Sequence, residues 1–469
     1  MIYEHLFHKT DKIVSAALVG CGDFGSTIVT HSSAIPRLQL RIIAERFPER
    51  AVEACKLAGV AEENITICET HDDAIKAYAD GNHVIVRDAE ILFEILEKLA
   101  LDVVVCCTRS PESGARCAKS AIECGRHVVM VDKEADSVVG PILKSMADAK
   151  GVVYTTDDGD EPGLLMGMAG WARSMGMEIL AGGNTHEALY DPDKQTLESR
   201  GITIRLTASQ TRLMERVTPG NLREVIAARR ELTQAFRIDE ECGDPYCHMA
   251  IAANGAGLMP DRPQPIRPLV YWDELPSVLV PRDMGGIHET SRHAVDIPTI
   301  IRKKGEPPYG GSVYIVIRHP NAYVMEKMRR KGLMTNFDDT AGVLYRPYHL
   351  CGAETAMSIL CAGLLNVPTG SGEILPNVDI ICSARRDMRA GEVIGPEGDS
   401  GWNRDFCCSL APATPLAEDK PIPFFMLEGN ALATDVPKGA TITVGMVAAP
   451  TKSTLWNLRR LVYQPNHFS

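Results

Sequence analysis

Four groups of residues in this chain have types and spacings that can do chemistry. The first is the turn Gly20-Cys21-Gly22-Asp23-Phe24-Gly25, which follows the apolar run IVSAALV directly. The first glycine permits a tight turn, the second lets the backbone approach a pyrophosphate, and the third lets a helix pack on the strand. The helix N-terminus then faces the negative charge. Glu45 ends the next apolar run, LQLRIIA, 20 residues beyond Gly25, where an acid meets the adenosine ribose of a dinucleotide. A carboxylate there accepts from both ribose hydroxyls and repels a 2′-phosphate, so NAD is favoured over NADP; Arg46 and Arg50 pull the other way. The expected cofactor contacts are Gly20, Gly22, Asp23, Phe24, Gly25, Glu45, Arg46 and Thr108, the last closing DVVVCCT.

The second group is Lys133, flanked by Asp132 and Glu134 in VMVDKEAD, where a sheet edge meets the nicotinamide. A lysine there can orient a substrate hydroxyl or take its proton as hydride leaves the same carbon. It can equally be a surface lysine opening a helix. The third group is the acidic turn Asp157-Asp158-Gly159-Asp160-Glu161-Pro162. Three readings stay open: a helix N-cap, a grip on substrate hydroxyls, or oxygen ligands for a hard divalent cation such as Mg or Mn, held by Asp160 and Glu161. The fourth is a set of polar clusters farther on: Gly182-Gly183-Asn184, His248 with Asn254, Gly285–Glu289, and Arg346-Pro347-Tyr348-His349. Histidines in such clusters are ligands or hydrogen-bonded structural groups.

These residues need a scaffold, and the pattern around them supplies one. Apolar runs at 13–19, 38–44, 102–108 and 127–131 alternate with helical stretches, which predicts a parallel, doubly wound α/β sheet of the Rossmann type over residues 1–160. From 161 to 370, longer helices mix with strands, predicting a central α/β catalytic and dimerisation domain with an antiparallel sheet. Residues 371–469 turn to short strands rich in Gly and Pro, a small β domain, with STLWNLRRLVY as a final helix.

Composition narrows the partners. With 61 acidic against 49 basic residues the net charge is −12, and there is no basic tract. Nucleic acid and anionic membrane are therefore not expected partners. No stretch approaches the roughly 20 apolar residues that span a bilayer. The opening residues MIYEHLFHKTDK lack the apolar core of a signal peptide. The 14 cysteines are scattered without a CxxC, as expected of reduced thiols, so a cytoplasmic setting is expected.

Taken together, Gly20–Gly25, His127–Pro141 (HVVMVDKEADSVVGP), Asp160-Glu161-Pro162 and Arg346–Leu350 (RPYHL) resemble the 1-deoxy-D-xylulose 5-phosphate reductoisomerase-like proteins, relatives of homoserine dehydrogenase. The stretch Asp387-Met388-Arg389-Ala390-Gly391-Glu392 is similar to a SAF domain, a β-clip module. The resemblance runs from about residue 13 to 460. It implies hydride transfer, coupled in some members to rearrangement of the carbon skeleton, and a homodimer or higher homo-oligomer. It also implies a catalytic role for Lys133, with Asp160, Glu161 and His349 beside it, and substrate contacts from Tyr348, Arg346, His248 and Asn184. The chain departs from the family's pattern twice. Lysines that follow the central Ala-Gly are absent from Ala181-Gly182-Gly183-Asn184-Thr185-His186, and His248 stands where those proteins carry Glu.

Three functions follow. One is an NAD(P)-dependent dehydrogenase, with or without isomerisation, for a small hydroxy acid, polyol or ketose. Another is a reductoisomerase acting on 1-deoxy-D-xylulose 5-phosphate. The third is a sensor that binds the dinucleotide without turnover. Acids beside a histidine and a tyrosine suit a polyhydroxylated molecule, whose hydroxyls need acceptors as well as donors.

Overall fold

The computed structural model describes residues 3–238, 241–289, 293–309, 311–395 and 402–463. Its first layer is a seven-stranded sheet in the order Ile65–Cys68, His83–Val86, Leu38–Ala44, Val14–Val19, Val103–Cys106, His127–Met130, Tyr154–Thr156. Every pair in it is parallel. Strands Val14–Val19, Val103–Cys106 and His83–Val86 are buried almost throughout, as they must be when helices cover both faces. The chain leaves Val14–Val19 in one direction to Leu38–Ala44 and later returns on its other side as Val103–Cys106. That reversal opens a crevice at the carboxyl ends of these strands, where ligands of such sheets bind.

The doubly wound parallel sheet is the one expected from the sequence, but two of its strands, Ile65–Cys68 and His83–Val86, were not foreseen. Each is four residues long; Ile65–Cys68 buries only Cys68 on the sheet edge, and His83–Val86, although apolar, is a run of only three such residues.

The central region departs from expectation. In place of one antiparallel sheet it holds two mixed ones. In the first, Thr196–Ser199 pairs antiparallel with Ile202–Arg205 and with His186–Asp191, whereas Thr299–Lys303 joins His186–Asp191 in parallel. In the second, Val313–Arg318 runs antiparallel to Glu178–Asn184 and to Gly342–Arg346, while Ala294–Val295 joins Glu178–Asn184 in parallel. The antiparallel partners at 186–205 are joined by short turns. The parallel ones are separated by helices, the long crossover that parallel pairing requires.

Beyond 371, Val378–Ala384 pairs antiparallel with Phe406–Pro412, and the remaining β contacts are isolated bridges such as Met388 with Val436 and Leu432 with Val447. Glycine and proline interrupt longer ladders there. Two later segments return to the first layer. Helix Thr355–Leu360 places Ile359 and Leu360 in the same core as Val14 and Val129. Helix Thr454–Leu461 docks through Glu112, which accepts from the Ser453 hydroxyl at 2.5 Å and from the Thr454 amide at 2.6 Å. Arg459, 2% exposed, reaches the Val138 carbonyl and the Asp379 carboxylate. Among the described residues, no helix is long and apolar enough to cross a membrane. Cys21, Cys55 and Cys106 are buried free thiols.

Candidate active site

The glycine turn sits at the switch point, and its three glycines do three different things. Gly20 has φ +94°, and a Cβ on it would lie 2.2 Å from the Cys107 carbonyl oxygen. A Cβ on Gly25 would lie 2.3 Å from the Gly20 oxygen, so this glycine sets how closely helix Asp23–Ser32 packs. Gly22 is the exception: a Cβ there meets nothing within 4 Å. It is also the N-cap of the helix and offers no side chain to the first-turn amides. Open space in front of uncapped amides is the cradle that a pyrophosphate fits. A third segment approaches this turn, since a Cβ on Gly352 would come within 2.9 Å of the Phe24 carbonyl oxygen.

Glu45 is buried beside the turn and held from two sides. Its Oε2 accepts from the Cys21 amide at 2.7 Å and its Oε1 from the Phe47 amide at 2.9 Å. A carboxylate oxygen has room for a second donor, so these bonds fix its position and leave acceptor capacity. Arg46 and Arg50 are exposed, and their guanidiniums lie 5.0 and 4.8 Å from the centre of the Phe47 ring. Thr108 donates to Asp132, the N-cap of helix Lys133–Lys150, whose other oxygen accepts from the Ala135 amide at 3.0 Å.

That cap places Lys133 at the first position of its helix, at the carboxyl edge of the same sheet. Two strand spacings separate it from the glycine turn, roughly 10 Å. Its Nζ lies 2.8 Å from Asp160 Oδ2. Asp160 caps helix Glu161–Ser174, with Oδ1 accepting from the Glu161 amide at 2.9 Å. The N-cap reading of the acidic turn therefore holds for Asp160, and the same carboxylate carries the ion pair. His248 Nε2 is 3.9 Å from both Asp160 Oδ1 and Glu161 Oε2. Asn184 Nδ2 lies 3.2 Å from His248 Nδ1, and an amide donating there leaves the ring proton on Nε2, toward the carboxylates. His349 Nδ1 is 3.9 Å from Glu161 Oε1 and 3.0 Å from the Gly311 carbonyl.

Residues from segments nearly the whole length of the central region thus converge: Lys133, Asp160, Glu161, Asn184, His248 and His349. Among the described residues, Arg346 and Tyr348 make no hydrogen bond or ion pair to this group. Arg346 pairs with Glu354 at 2.5 Å and lies over the Tyr348 ring at 4.8 Å, and Tyr348 is 50% exposed. They form the rim. Two residues went unforeseen. Gly311, at φ +67°, is required because a Cβ would lie 2.1 Å from the His349 ring; the Gly310-Gly311 pair was the available signal. Cys351 is an exposed residue, but its sulfur is partly enclosed and close enough to feel Asp160, Lys133 and Glu161; that enclosure, with the acids adding to it, pushes the thiol up to about 11.

The electrostatics separate the carboxyl groups. Burial alone would raise Asp160, but the Lys133 charge, a hydrogen bond with the Glu161 side chain and His248 outweigh it and hold Asp160 well below the usual range. Burial pushes Glu161 up to about 7, helped by Asp160 and opposed by His248. Burial pushes Asp157 up to about 8 despite bonds from the Gly159 amide and the Thr355 hydroxyl, and Asp158 up to about 6, with Glu354 adding to it. Neighbouring acids held in opposite protonation states are what acid–base chemistry needs.

Asp157 makes a stability prediction. Its pKa is raised on folding, so the neutral form contributes stability that is fully present below about pH 4 and lost as pH rises through about 8. Melting temperature should fall between pH 6 and 9, and Asp157→Asn should flatten that fall. An unchanged slope in the variant would show that Asp157 does not titrate in this window.

Comparison with known proteins adds the following. Residues 159–355 match the family model described as oxidoreductase DRL, catalytic domain. That is less than half of the chain; it includes Asp160, Glu161, Asn184, His248, Arg346, Tyr348 and His349 but not Lys133. No curated protein matches the chain. Among solved structures, 1-deoxy-D-xylulose 5-phosphate reductoisomerase from Zymomonas mobilis, in complex with NADPH, is 15% identical with a TM-score of 0.30, covering 52% of this chain and 58% of that one. An oxidoreductase from Agrobacterium radiobacter, in complex with NAD+, L-tartaric acid and magnesium, is 14% identical with a TM-score of 0.26, over 37% and 44%. Levoglucosan dehydrogenase, in complex with NADH and L-sorbose, is 18% identical with a TM-score of 0.27, over 38% and 44%. The chain spans about half the length of these structures.

Proposed function

We propose that the protein is a nicotinamide-dependent oxidoreductase acting at an alcohol or carbonyl carbon of a small polyhydroxylated substrate: a hydroxy acid, a polyol or a ketose. The observation that carries this reading is the Lys133–Asp160 pair on the same sheet edge as the open Gly22 cradle, with Glu161, His248 and His349 around it. The match of residues 159–355 to an oxidoreductase catalytic domain supports it.

The residues present fit a dinucleotide: Gly22 leaves the space, the first-turn amides face it, and Glu45 stands fixed where a ribose lies. A nicotinamide bound here supplies the acceptor or donor of the hydride. Asp160 holds Lys133 in place by charge. In the reductive direction Lys133 gives its proton to the oxygen of the reduced carbon; in the oxidative direction the free amine takes the hydroxyl proton. Glu161, with a carboxyl group near neutrality, and the Nε2 proton of His248 orient neighbouring hydroxyls as acceptor and donor.

The donor set also fits a divalent cation. Asp160, Glu161 and His349 each offer a ligand atom, all within 4.8 Å of one another. Bound Mg or Mn would polarise the substrate oxygen. Mn should bind with an affinity that His349→Ala lowers by roughly tenfold or more, the cost of one imidazole ligand. Equal affinity in the two proteins, by calorimetry, would remove His349 from the set.

The cofactor is NAD in this reading, because Glu45 brings negative charge to the ribose and the Cys21 and Phe47 amides keep it there. NADP binding tenfold or more tighter, about 1.4 kcal/mol, would overturn that choice and transfer the role to Arg46 and Arg50. Turnover is tested by following absorbance of the reduced nicotinamide with a panel of hydroxy acids, polyols, ketoses and 1-deoxy-D-xylulose 5-phosphate, with and without Mn. Cofactor binding without turnover on any of them would favour a sensor. A product with a rearranged skeleton would add isomerisation. The segment 371–469 is proposed as a SAF-like module, and the assembly as a homodimer or higher homo-oligomer.

A further inference from the structure

Two buried thiols from different parts of the chain meet away from the Lys133–Asp160 centre. Cys242 stands just before helix Asp244–Ala256 of the central region, and Cys408 lies within strand Phe406–Pro412 of the C-terminal hairpin. Both are thiols in this structure, Cys242 being 8% exposed and Cys408 fully buried. Neither has a part in the chemistry proposed above.

Strand alternation brings them together. Phe406, Cys408 and Leu410 are the buried residues of their strand, so Cys408 points into the core, opposite Cys382 on the paired strand Val378–Ala384. The other edge of Phe406–Pro412 is turned to the central region, where the Leu410 amide donates to the Pro263 carbonyl at 2.7 Å. The Cys242 thiol donates to the Phe406 carbonyl at 3.1 Å, closing a separation of 164 residues. The Cys408 amide donates to the Cys242 sulfur, and the two thiols hydrogen-bond each other. In return the Gly243 amide donates to the Cys408 sulfur, from a backbone at φ +77° that glycine adopts without strain. Each sulfur is thus held by the backbone of the other's segment.

The two sulfurs are not equivalent. Arg385 donates through Nε to the same Phe406 carbonyl that the Cys242 thiol uses, which brings a guanidinium beside that sulfur. The hydrogen bond from Cys408, the Cys408 amide and the charges of Arg385 and Arg267 outweigh burial and hold the Cys242 thiol below its ordinary value. Burial pushes the Cys408 thiol well up, and the bond to Cys242 adds to it. One sulfur is therefore the readier thiolate while its neighbour keeps a proton. That inequality separates an attacking sulfur from a resolving one.

We propose that Cys242 and Cys408 form a redox-active dithiol, which a hydroperoxide oxidises to a disulfide between the central region and the C-terminal hairpin. The Cys242 thiolate attacks one oxygen of the peroxide and the O–O bond breaks. The other oxygen leaves and takes up the proton lost by the thiol, and Cys242 becomes a sulfenic acid. The Cys408 sulfur then attacks the Cys242 sulfur; the S–O bond breaks, and hydroxide departs with the Cys408 proton as water. Two electrons pass from the pair of sulfurs to the peroxide. Side-chain rotation closes the hydrogen-bonded sulfurs to the bonded distance of about 2.0 Å. The bond tethers the start of the helix that carries His248 to the hairpin.

The full-length protein is reduced, separated from the reductant and exposed to hydrogen peroxide under native conditions. Remaining thiols are then blocked with N-ethylmaleimide, and the digest is mapped by mass spectrometry. Wild type should yield a Cys242–Cys408 linked peptide, about 2 Da lighter than its two thiol peptides together and returned to them by dithiothreitol. The oxidised protein should melt several degrees higher, because the bond closes a long loop. Cys408→Ser keeps the attacking sulfur and removes the resolving one, so dimedone should mark Cys242 about tenfold more in this variant than in wild type. The peptide map of wild type decides the matter by itself if that variant does not fold. No linked peptide at peroxide doses that oxidise the exposed Cys351 overturns the proposal. So does a link that forms only in urea, a link from Cys242 to Cys382 or Cys407 in place of Cys408, or dimedone on Cys408 with Cys242 untouched.

Discussion

Lys133→Met should lower turnover by about a hundredfold or more while leaving cofactor affinity intact, once an accepted substrate is in hand. Methionine keeps much of the side chain's length and removes the ammonium that faces Asp160 at 2.8 Å. If Lys133 moves the substrate proton, the loss falls on kcat. If it only opens a surface helix, turnover stays within a few-fold of wild type. One complication has to be separated out. Asp160 is 4% exposed, and removing its partner leaves a buried carboxylate uncompensated, which costs roughly 3–5 kcal/mol in such pairs. Melting temperature should therefore drop in Lys133→Met and recover in Lys133→Met/Asp160→Asn. Turnover should not recover with it. Recovery of both together would make Lys133 a structural residue.

Gly22→Val should abolish dinucleotide binding in a protein that folds normally. The distinction among the three turn glycines makes this a sharp test. A side chain on Gly20 or Gly25 collides with backbone at 2.2 or 2.3 Å, so those variants should lose stability. A side chain on Gly22 enters open space and occupies only what a pyrophosphate would fill. Affinity for NAD and NADP should fall by about a hundredfold, on the order of 2.7 kcal/mol, with an unchanged melting temperature in the absence of cofactor. Unchanged affinity in the folded variant would mean that the dinucleotide binds elsewhere or not at all.

What could be read from the sequence was what is local in it. The glycine turn, the lysine after HVVMV and the acidic turn before Pro162 each lie within a few residues of a strand end, so pattern and position coincide. RPYHL stood out as a motif, but only His349 of its residues turns inward; the pairing of Arg346 with Glu354 depends on how the following loop folds back. The pairing of Asn184 with His248 spans 64 residues, and that of His349 with the Gly311 carbonyl spans 38. No periodicity reports such contacts. Glu45 was read as a ligand of ribose alone, yet both of its oxygens also brace the backbone around the turn. The two edge-side strands of the parallel sheet and the mixed pairing of the central sheets escaped for the same reason: four-residue strands and distant partners leave little trace in local composition.

The docking of helix Thr454–Leu461 has a consequence for the order of events in folding. Its bond from Ser453 to Glu112 closes a separation of 341 residues, and Arg459 closes one of 321 to Val138. Contacts of that range form late, because their entropic cost precedes their reward. On the ribosome, the first layer can assemble its parallel sheet while the helices Pro111–Glu123 and Lys133–Lys150 still present bare faces. The second of these begins at Lys133. A chain cut before residue 453 would keep every residue proposed for the chemistry, yet leave the helix that carries Lys133 without its outer neighbour and Asp379 without its guanidinium. Such a truncation should bind proteases and chaperones as a nearly finished fold, and its defect would surface as short lifetime rather than as altered selectivity.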